Sequence, residues 1–273
     1  MTAFPSRSRV STLTFAFLCA FASPLSAQAV NVDTELVILV DAQTFSTSDF
    51  DLILDGVARS FEQQSFVNAV ASGANGQIAA SLVLFNSNNN SLTANIPWMV
   101  LSSATDLQNF ADTVRNVENT AAFGNVSYAE AISFGAAQIA SSTIVGANRQ
   151  LTIIDDGTGF NQVAPAATQA ARDNALASSV DVINGVIFDV AFQENTAETY
   201  YNNYVVGGVG GGVEVIGSPQ GGPKTGEDLE AIEEAIAFQI TGNTISNLSV
   251  VPEPSSLAFL LVGSLGLLGR RRR

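Results

Sequence analysis

Blocks of apolar and polar positions follow one another along the chain in an order that predicts strands and helices in turn. Residues 35–41 form an almost unbroken apolar run that ends in Asp41, which is typical of a strand buried on both faces. Helix-capping residues follow at 46–49, and apolar residues then recur at helical spacing from Phe50 to Phe61. The same criteria predict strands at 77–85, 91–100, 151–154, 180–188 and 213–216, and helices near 103–117, 128–139, 162–178 and 229–240.

This alternation indicates a single α/β domain with a central, mostly parallel sheet flanked by helices. Only an Asn-rich turn separates residues 77–85 from 91–100, so we expect these two strands to form a hairpin. The glycine-rich run 207–212 lacks the Lys and Ser/Thr of a phosphate-binding loop. We interpret that run as a structural loop.

Residues 1–29 have the pattern of a secretory signal peptide. Arg7 and Arg9 precede an apolar run from Leu13 to Ala22. Ala27-Gln28-Ala29 offers small residues for cleavage, with Leu25-Ser26-Ala27 as an alternative. The apolar run is about half of the roughly 20 residues that a spanning helix needs, so we favour export over a membrane anchor. Cleavage would remove Cys19, the single cysteine, and the mature protein would then be stabilised without disulfides.

Residues 246–273 carry a second pattern of three parts. Pro252-Glu253-Pro254 comes first, an apolar stretch covers 257–268, and the chain ends on Arg270, Arg271, Arg272 and Arg273. As a helix the stretch is about 20 Å long, which is short for a bilayer core about 30 Å thick. The arginines would stay on the cytoplasmic side. We expect a transient membrane insertion by this apolar transmembrane helix; an ordinary tail anchor is the alternative.

The tail resembles the PEP-CTERM sorting signal of Gram-negative bacteria. The residues Pro252, Glu253 and Pro254, the short apolar helix and the terminal arginines match that signal in order and position. The resemblance implies that an exosortase-type membrane protease recognises and cleaves a membrane-anchored precursor. The body, exported through the inner membrane, would then reach the cell surface or the extracellular polysaccharide matrix.

Charge and composition narrow the function further. The chain has 25 acidic and 11 basic residues and no His, and its formal net charge is −14. Between residues 30 and 250 the balance is 24 acidic against five basic residues, so we expect no nucleic-acid partner. The lack of His excludes the Ser-His-Asp triad and His-based metal sites. We therefore expect that the protein is not an enzyme.

The order of elements over residues 33–242 resembles the von Willebrand factor type A domain. The resemblance rests on the apolar strand ending in Asp41, the hairpin, a helix after Gly124-Asn125-Val126-Ser127, and a strand ending in Asp155-Asp156-Gly157. A subfamily found in exported bacterial proteins also matches the following segments: Ile183-Asn184-Gly185, Tyr200-Tyr201, Gly207-Gly208 and Asp228-Leu229. We place this domain at residues 30–245, between the signal peptide and the tail.

The resemblance implies a divalent cation above the carboxyl ends of the strands, held by an Asp-x-Ser-x-Ser loop, a Thr and a further Asp. Asp41 matches the first Asp, and Asp156 or Asp155 matches the last. The residues Gln43, Phe45 and Val126 stand where the two Ser and the Thr belong, so the site is degenerate. We expect any Mg²⁺ or Ca²⁺ to bind weakly to Asp41 and Asp156, with help from Asp155, Thr44, Ser46, Asn125 or Ser127. The alternative is that these acids only cap loops and that no cofactor is bound.

Three functions fit these observations. We favour an adhesion or interaction module that binds an unknown surface protein or polysaccharide. A structural component of the extracellular polysaccharide matrix without a specific ligand is the alternative. A matrix polysaccharide hydrolase would use two of the acids Asp41, Asp155 and Asp156 as a catalytic pair, and it is the least favoured.

Overall fold

The computed structural model describes residues 29–42, 47–85, 93–118, 127–155, 164–188, 194–216, 230 and 233–237. The strands are β1 (Val30–Asp41), β2 (Ile78–Phe85), β3 (Thr93–Leu101), β4 (Ile144–Asp155), β5 (Val182–Phe188), β6 (Gly207–Gly208) and β7 (Val213–Ile216). The helices are α1 (Thr47–Glu62), α2 (Gln64–Ser72), α3 (Ala104–Arg115), α4 (Tyr128–Ser141), α5 (Pro165–Ser178) and α6 (Glu194–Tyr200), which continues into a π-helical turn at Tyr201–Val205.

The strands of the described residues form one sheet in the order β3-β2-β1-β4-β5-β6, with β7 beside the carboxyl half of β5. β1 pairs in parallel with β2 and β4, and β4 does so with β5, whereas β3 pairs with β2 as an antiparallel hairpin. The predicted α/β class and the hairpin are therefore confirmed. Because Val40 pairs with Ile154, Asp41 and Asp155 end neighbouring strands at the same edge of the sheet.

Side chains of β1 alternate between two apolar cores. Leu36, Ile38 and Val40 pack with α1, α2 and α3 on one face. Val37 and Leu39 pack on the other face, with α4, α5 and the segment that includes Tyr201. Successive side chains of a strand point to opposite faces, so a strand covered by helices on both sides must be apolar throughout.

Two sequence-based boundaries are wrong. β1 begins at Val30 and β4 at Ile144, several residues before the predicted starts, because their amino-terminal parts carry polar or partly exposed residues that hide the strand pattern. The predicted loop at 207–212 is also wrong at its start, where Gly207 and Gly208 pair with β5 as the short strand β6. Gly208 has φ +88°, in the left-handed region that favours glycine.

The predicted membrane-interacting segments, residues 1–28 of the signal peptide and 257–268 of the tail, lie outside the described residues. Among the helices that the structure does describe, none is long and apolar enough to cross a membrane.

A buried carboxyl lies where the pairing of β1 with β4 is irregular. The paired positions pass from Val32 with Gly146 to Thr34 with Asn148, and the N–H of Gly146 donates to Glu35 Oε1 at 2.5 Å. A Cβ at position 146 would come within 2.9 Å of Glu35 Cγ, so glycine makes room for this side chain. Glu35 is only 2% exposed. This burial raises its pKa, against the opposing effects of the Gly146 hydrogen bond and the Arg149 charge.

We expect Glu35→Gln to stabilise the protein at neutral pH relative to the wild type. The pKa of Glu35 is raised in the folded state, so its contribution to stability is full below the ordinary value of 4.5 and is lost as the pH rises through the folded value. Glutamine keeps an oxygen for the Gly146 N–H and cannot ionise. Thermal unfolding from pH 4 to 8 measures the effect, with Glu118→Gln as an exposed control. A difference from the wild type that stays constant over this range would contradict the prediction.

Val37→Asp tests the position of β1 between the two cores. Val37 is fully buried, so an aspartate there would place an unpaired carboxylate in an apolar core, at a cost of roughly 3 kcal/mol or more in the free energy of unfolding. Denaturant unfolding measures this cost, and Val145→Asp, at a position 52% exposed on β4, is the control. Equal unfolding midpoints for the two variants would show that β1 is not central.

Candidate functional site

The predicted cation site falls at the carboxyl edge of the sheet. Asp41 and Asp155 end β1 and β4, and both are fully buried. Their places in the strand alternation, two residues after Leu39 and Ile153, direct both toward the face covered by α4 and α5. Ser127 caps α4, and its Oγ accepts a hydrogen bond from the N–H of Glu130 at 3.3 Å. The other predicted ligands lie outside the described residues: Thr44, Ser46, Asn125 and Asp156.

The carboxylate of Asp155 accepts hydrogen bonds from two tyrosines. The hydroxyl of Tyr128 donates to Oδ2 of Asp155, and the hydroxyl of Tyr201 donates to the same oxygen at 3.0 Å. Tyr128 is the first residue of α4, and Tyr201 begins the π-helical turn after α6. All three residues are fully buried. One carboxylate thus connects a central strand to two separate helical segments.

Packing around the two rings explains how they reach the sheet edge. The rings of Tyr128 and Tyr201 meet edge to face, with centroids 5.5 Å apart, and Tyr128 also contacts the ring of Phe85 at 6.4 Å. Gly185 on β5 lies under Tyr201, and a Cβ at that position would overlap the ring. A side chain at position 185 would therefore push Tyr201 away from Asp155.

Burial raises the pKa of Tyr128 and of Tyr201 well above the ordinary value, and the negative charge of Asp155 acts in the same direction. The charge of Asp41 adds a smaller effect on both rings. Both phenols are therefore protonated at neutral pH and can act as hydrogen-bond donors to the carboxylate.

These contacts occupy one of the two carboxylate oxygens of Asp155. Mg²⁺ and Ca²⁺ need six or more oxygen ligands, and a ligand carboxylate must direct its lone pairs at the ion. Oδ2 of Asp155 receives two phenolic protons, so this oxygen is directed at the tyrosines and not at an ion. In the part of the chain that the structure describes, no group of three or more acidic, Cys or His side chains could hold a metal. A site formed by Asp41 with Asp156 stays a prediction, because Asp156 lies outside that part.

Each arginine of the described residues forms an ion pair. Arg59 pairs with Asp55, and Arg115 binds both oxygens of Glu62 at 2.6 Å and joins α1 to α3. Arg149 pairs with Asp181, and Arg172 with Asp173. A shallow cavity beside α1 is lined by members of this network: Arg59, Glu62, Gln63, Arg115 and Glu233. Its guanidinium groups are already engaged by carboxylates of the chain.

Sequence analysis missed the connection between the two tyrosines and Asp155. The apolar pattern places Tyr128 at the start of the predicted helix 128–139, and Tyr200-Tyr201 is only a motif of the resemblance. The available signal was the joint presence of that motif and Gly185 in Ile183-Asn184-Gly185. Neither segment alone indicates which strand end the tyrosine reaches.

Comparison with known proteins gives the family. Residues 31–221 match the family described as Protein of unknown function (DUF1194), and residues 250–273 match the PEP-CTERM protein-sorting motif. The predicted sorting signal is therefore confirmed, and it implies export and exosortase-mediated sorting at the membrane. No curated protein matches the chain.

Solved structures give the fold. The pilus adhesin SpaC from Lactobacillus rhamnosus GG matches with a TM-score of 0.53 and 11% identity, covering 81% of this chain and 31% of that one. A D319A mutant of the PilB minor pilin from Streptococcus sanguinis matches with a TM-score of 0.51 and 12% identity, covering 81% and 63%. Proximal thread matrix protein 1 from the mussel byssus, with a zinc-occupied MIDAS motif, matches with a TM-score of 0.54 and 13% identity, covering 79% and 50%.

This chain spans less than two thirds of the length of each of these three proteins. At such low identity the likeness shows the fold alone, and it confirms the predicted von Willebrand A-like architecture. The match over residues 31–221 covers more than half of the chain. The chain therefore belongs to the DUF1194 family, with a von Willebrand A-like fold and a PEP-CTERM sorting motif at its carboxyl end.

Proposed function

We propose that this DUF1194 protein is an adhesion or interaction module that is sorted to the cell surface or to the extracellular matrix. The observation that carries the proposal is the presence, on one chain, of a von Willebrand A-like body at 31–221 and a sorting motif at 250–273. The likeness of its fold to a pilus adhesin and to a thread matrix protein supports it. The domain bounds that go with it are 1–29 for the signal peptide, 30–245 for the module and 246–273 for the tail.

The charges favour a neutral or basic partner. The body between residues 30 and 250 holds 24 acidic residues, and each arginine in its described part is paired with a carboxylate. An anionic polymer would meet repulsion there, and each of these guanidinium groups is already paired with a carboxylate of the chain. We therefore infer that the ligand is a surface protein or a polysaccharide without net negative charge.

We expect the metal site of this module to be degenerate. Asp41 and Asp156 are the ligands that we expect for any Mg²⁺ or Ca²⁺, and Gln43, Phe45 and Val126 remove the hydroxyls that would complete the shell. Water would have to supply several of the roughly six oxygens that a small hard cation needs. Ligand binding should then not depend on a cation.

A structural role in the matrix, without a specific ligand, is the second candidate, and the likeness to the byssal thread matrix protein favours it.

A hydrolase is disfavoured because Asp41 and Asp155 are fully buried, whereas catalytic carboxylates must contact the glycosidic bond of a polymer.

Removing residues 252–273 should leave the protein unprocessed and release it into the periplasm or the medium. The reason is that this deletion takes away the Pro-Glu-Pro segment, the apolar helix and the terminal arginines together. Cell fractionation and the mass of the mature chain measure the effect, with the full-length protein as the parallel control. An unchanged location and mature mass would show that the tail does not direct sorting.

The mature protein should bind in a saturable way to the surface or matrix of host cells that lack its gene, and a chelator should not weaken this binding. Labelled protein and a binding isotherm with and without chelator provide the measurement. Loss of matrix cohesion in the deletion strain without saturable binding would favour the structural role instead. Release of soluble oligosaccharides would favour the hydrolase.

A further inference from the structure

We propose that Tyr128, Asp155 and Tyr201 form a hydrogen-bonded lock that takes the place of a cation at the carboxyl edge of the sheet. The inference deepens the proposed function at its degenerate metal site, since it gives the reason why the module needs no metal. It rests on the fold and on contacts among buried side chains, and it does not require that the adhesion ligand be known.

The position of Asp155 is the first step. It is the last residue of β4, next to the end of β1, where the resemblance to the von Willebrand A domain expects an acidic ligand. A cation there would stabilise the carboxylate and connect the strand end to the neighbouring loops. In this chain two phenolic hydroxyls, from α4 and from the turn after α6, direct their protons at Oδ2. The donors supply both the stabilisation of the charge and the connection.

Steric evidence supports the lock independently of the hydrogen bonds. Gly185 pairs with Ile153, two residues before Asp155, and its missing side chain leaves the space that the ring of Tyr201 occupies. Ser127 caps α4 and so fixes where Tyr128 begins the helix. Two motifs of the sequence, Ile183-Asn184-Gly185 and Tyr200-Tyr201, therefore both contribute to the contact between Tyr201 and Asp155. Aromatic rings fill the space beside Asp155.

A double-mutant cycle on the mature protein tests whether the hydrogen bonds of the lock stabilise the fold. Tyr128→Phe and Tyr201→Phe each remove one donor and keep the ring, so each should lower Tm by about 3 °C or more. In an Asp155→Asn background the same substitutions should lower Tm much less, because the carboxylate they serve is gone. Tyr200→Phe is the matched control: its hydroxyl lies 3.0 Å from Thr168 Oγ1, so its effect should be equal in both backgrounds.

The effect of divalent cations on Tm tests whether the two tyrosines take the place of a cation. Unfolding of the wild type should be the same in millimolar Mg²⁺, in Ca²⁺ and in chelator. A rise in Tm with either ion that Asp41→Asn abolishes would overturn the inference, because a cation would then occupy the edge together with the tyrosines. Full additivity of the tyrosine substitutions with Asp155→Asn would overturn it as well.

These results separate the lock from the adhesion function. Failure to bind cells or matrix would leave the unfolding cycle unchanged. Loss of coupling in the cycle, with saturable binding intact, would reject the lock and keep the adhesion module.

Discussion

Burial of β1 on both faces is the constraint on which the rest of the fold depends. The strand lies between β2 and β4, and its residues from Val32 to Asp41 are all buried. Water is excluded from both sides only if helices cover both, which requires α1, α2 and α3 on one face and α4 and α5 on the other. Helical crossovers between the parallel strands provide this arrangement.

The same burial forces each acidic residue of β1 to find a partner. Asp33 accepts hydrogen bonds from the backbone N–H groups of Asn75 and Gln77 and so holds the turn before β2. Glu35 accepts the N–H of Gly146 in the irregular part of the β1–β4 pairing. Asp41 ends the strand at the edge where Asp155 meets the tyrosines. Polar residues within an apolar strand thus mark the two ends of the sheet, where structure is least regular.

The sequence pattern predicts what depends on local periodicity. The start of α3 after Ser103 and the strand that ends in Phe188 lie close to their predicted places, because capping residues and apolar runs act over a few positions. Contacts between distant segments cannot be predicted from local periodicity. Tyr128 and Tyr201 are 27 and 46 positions from Asp155, and no period in the sequence connects them. The early starts of β1 and β4 were missed because only part of each strand is apolar on both faces.

Hydrogen bonds from a protein's own side chains differ from metal coordination because they do not depend on the concentration of a free ion. The occupancy of an ion site follows mass action and falls when the free ion is scarce. The hydroxyls of Tyr128 and Tyr201 are covalently part of the chain and are present at fixed stoichiometry. A module held together in this way would keep its shape among acidic polymers that scavenge divalent ions, and it would equally lack an ionic signal by which its surroundings could switch it off.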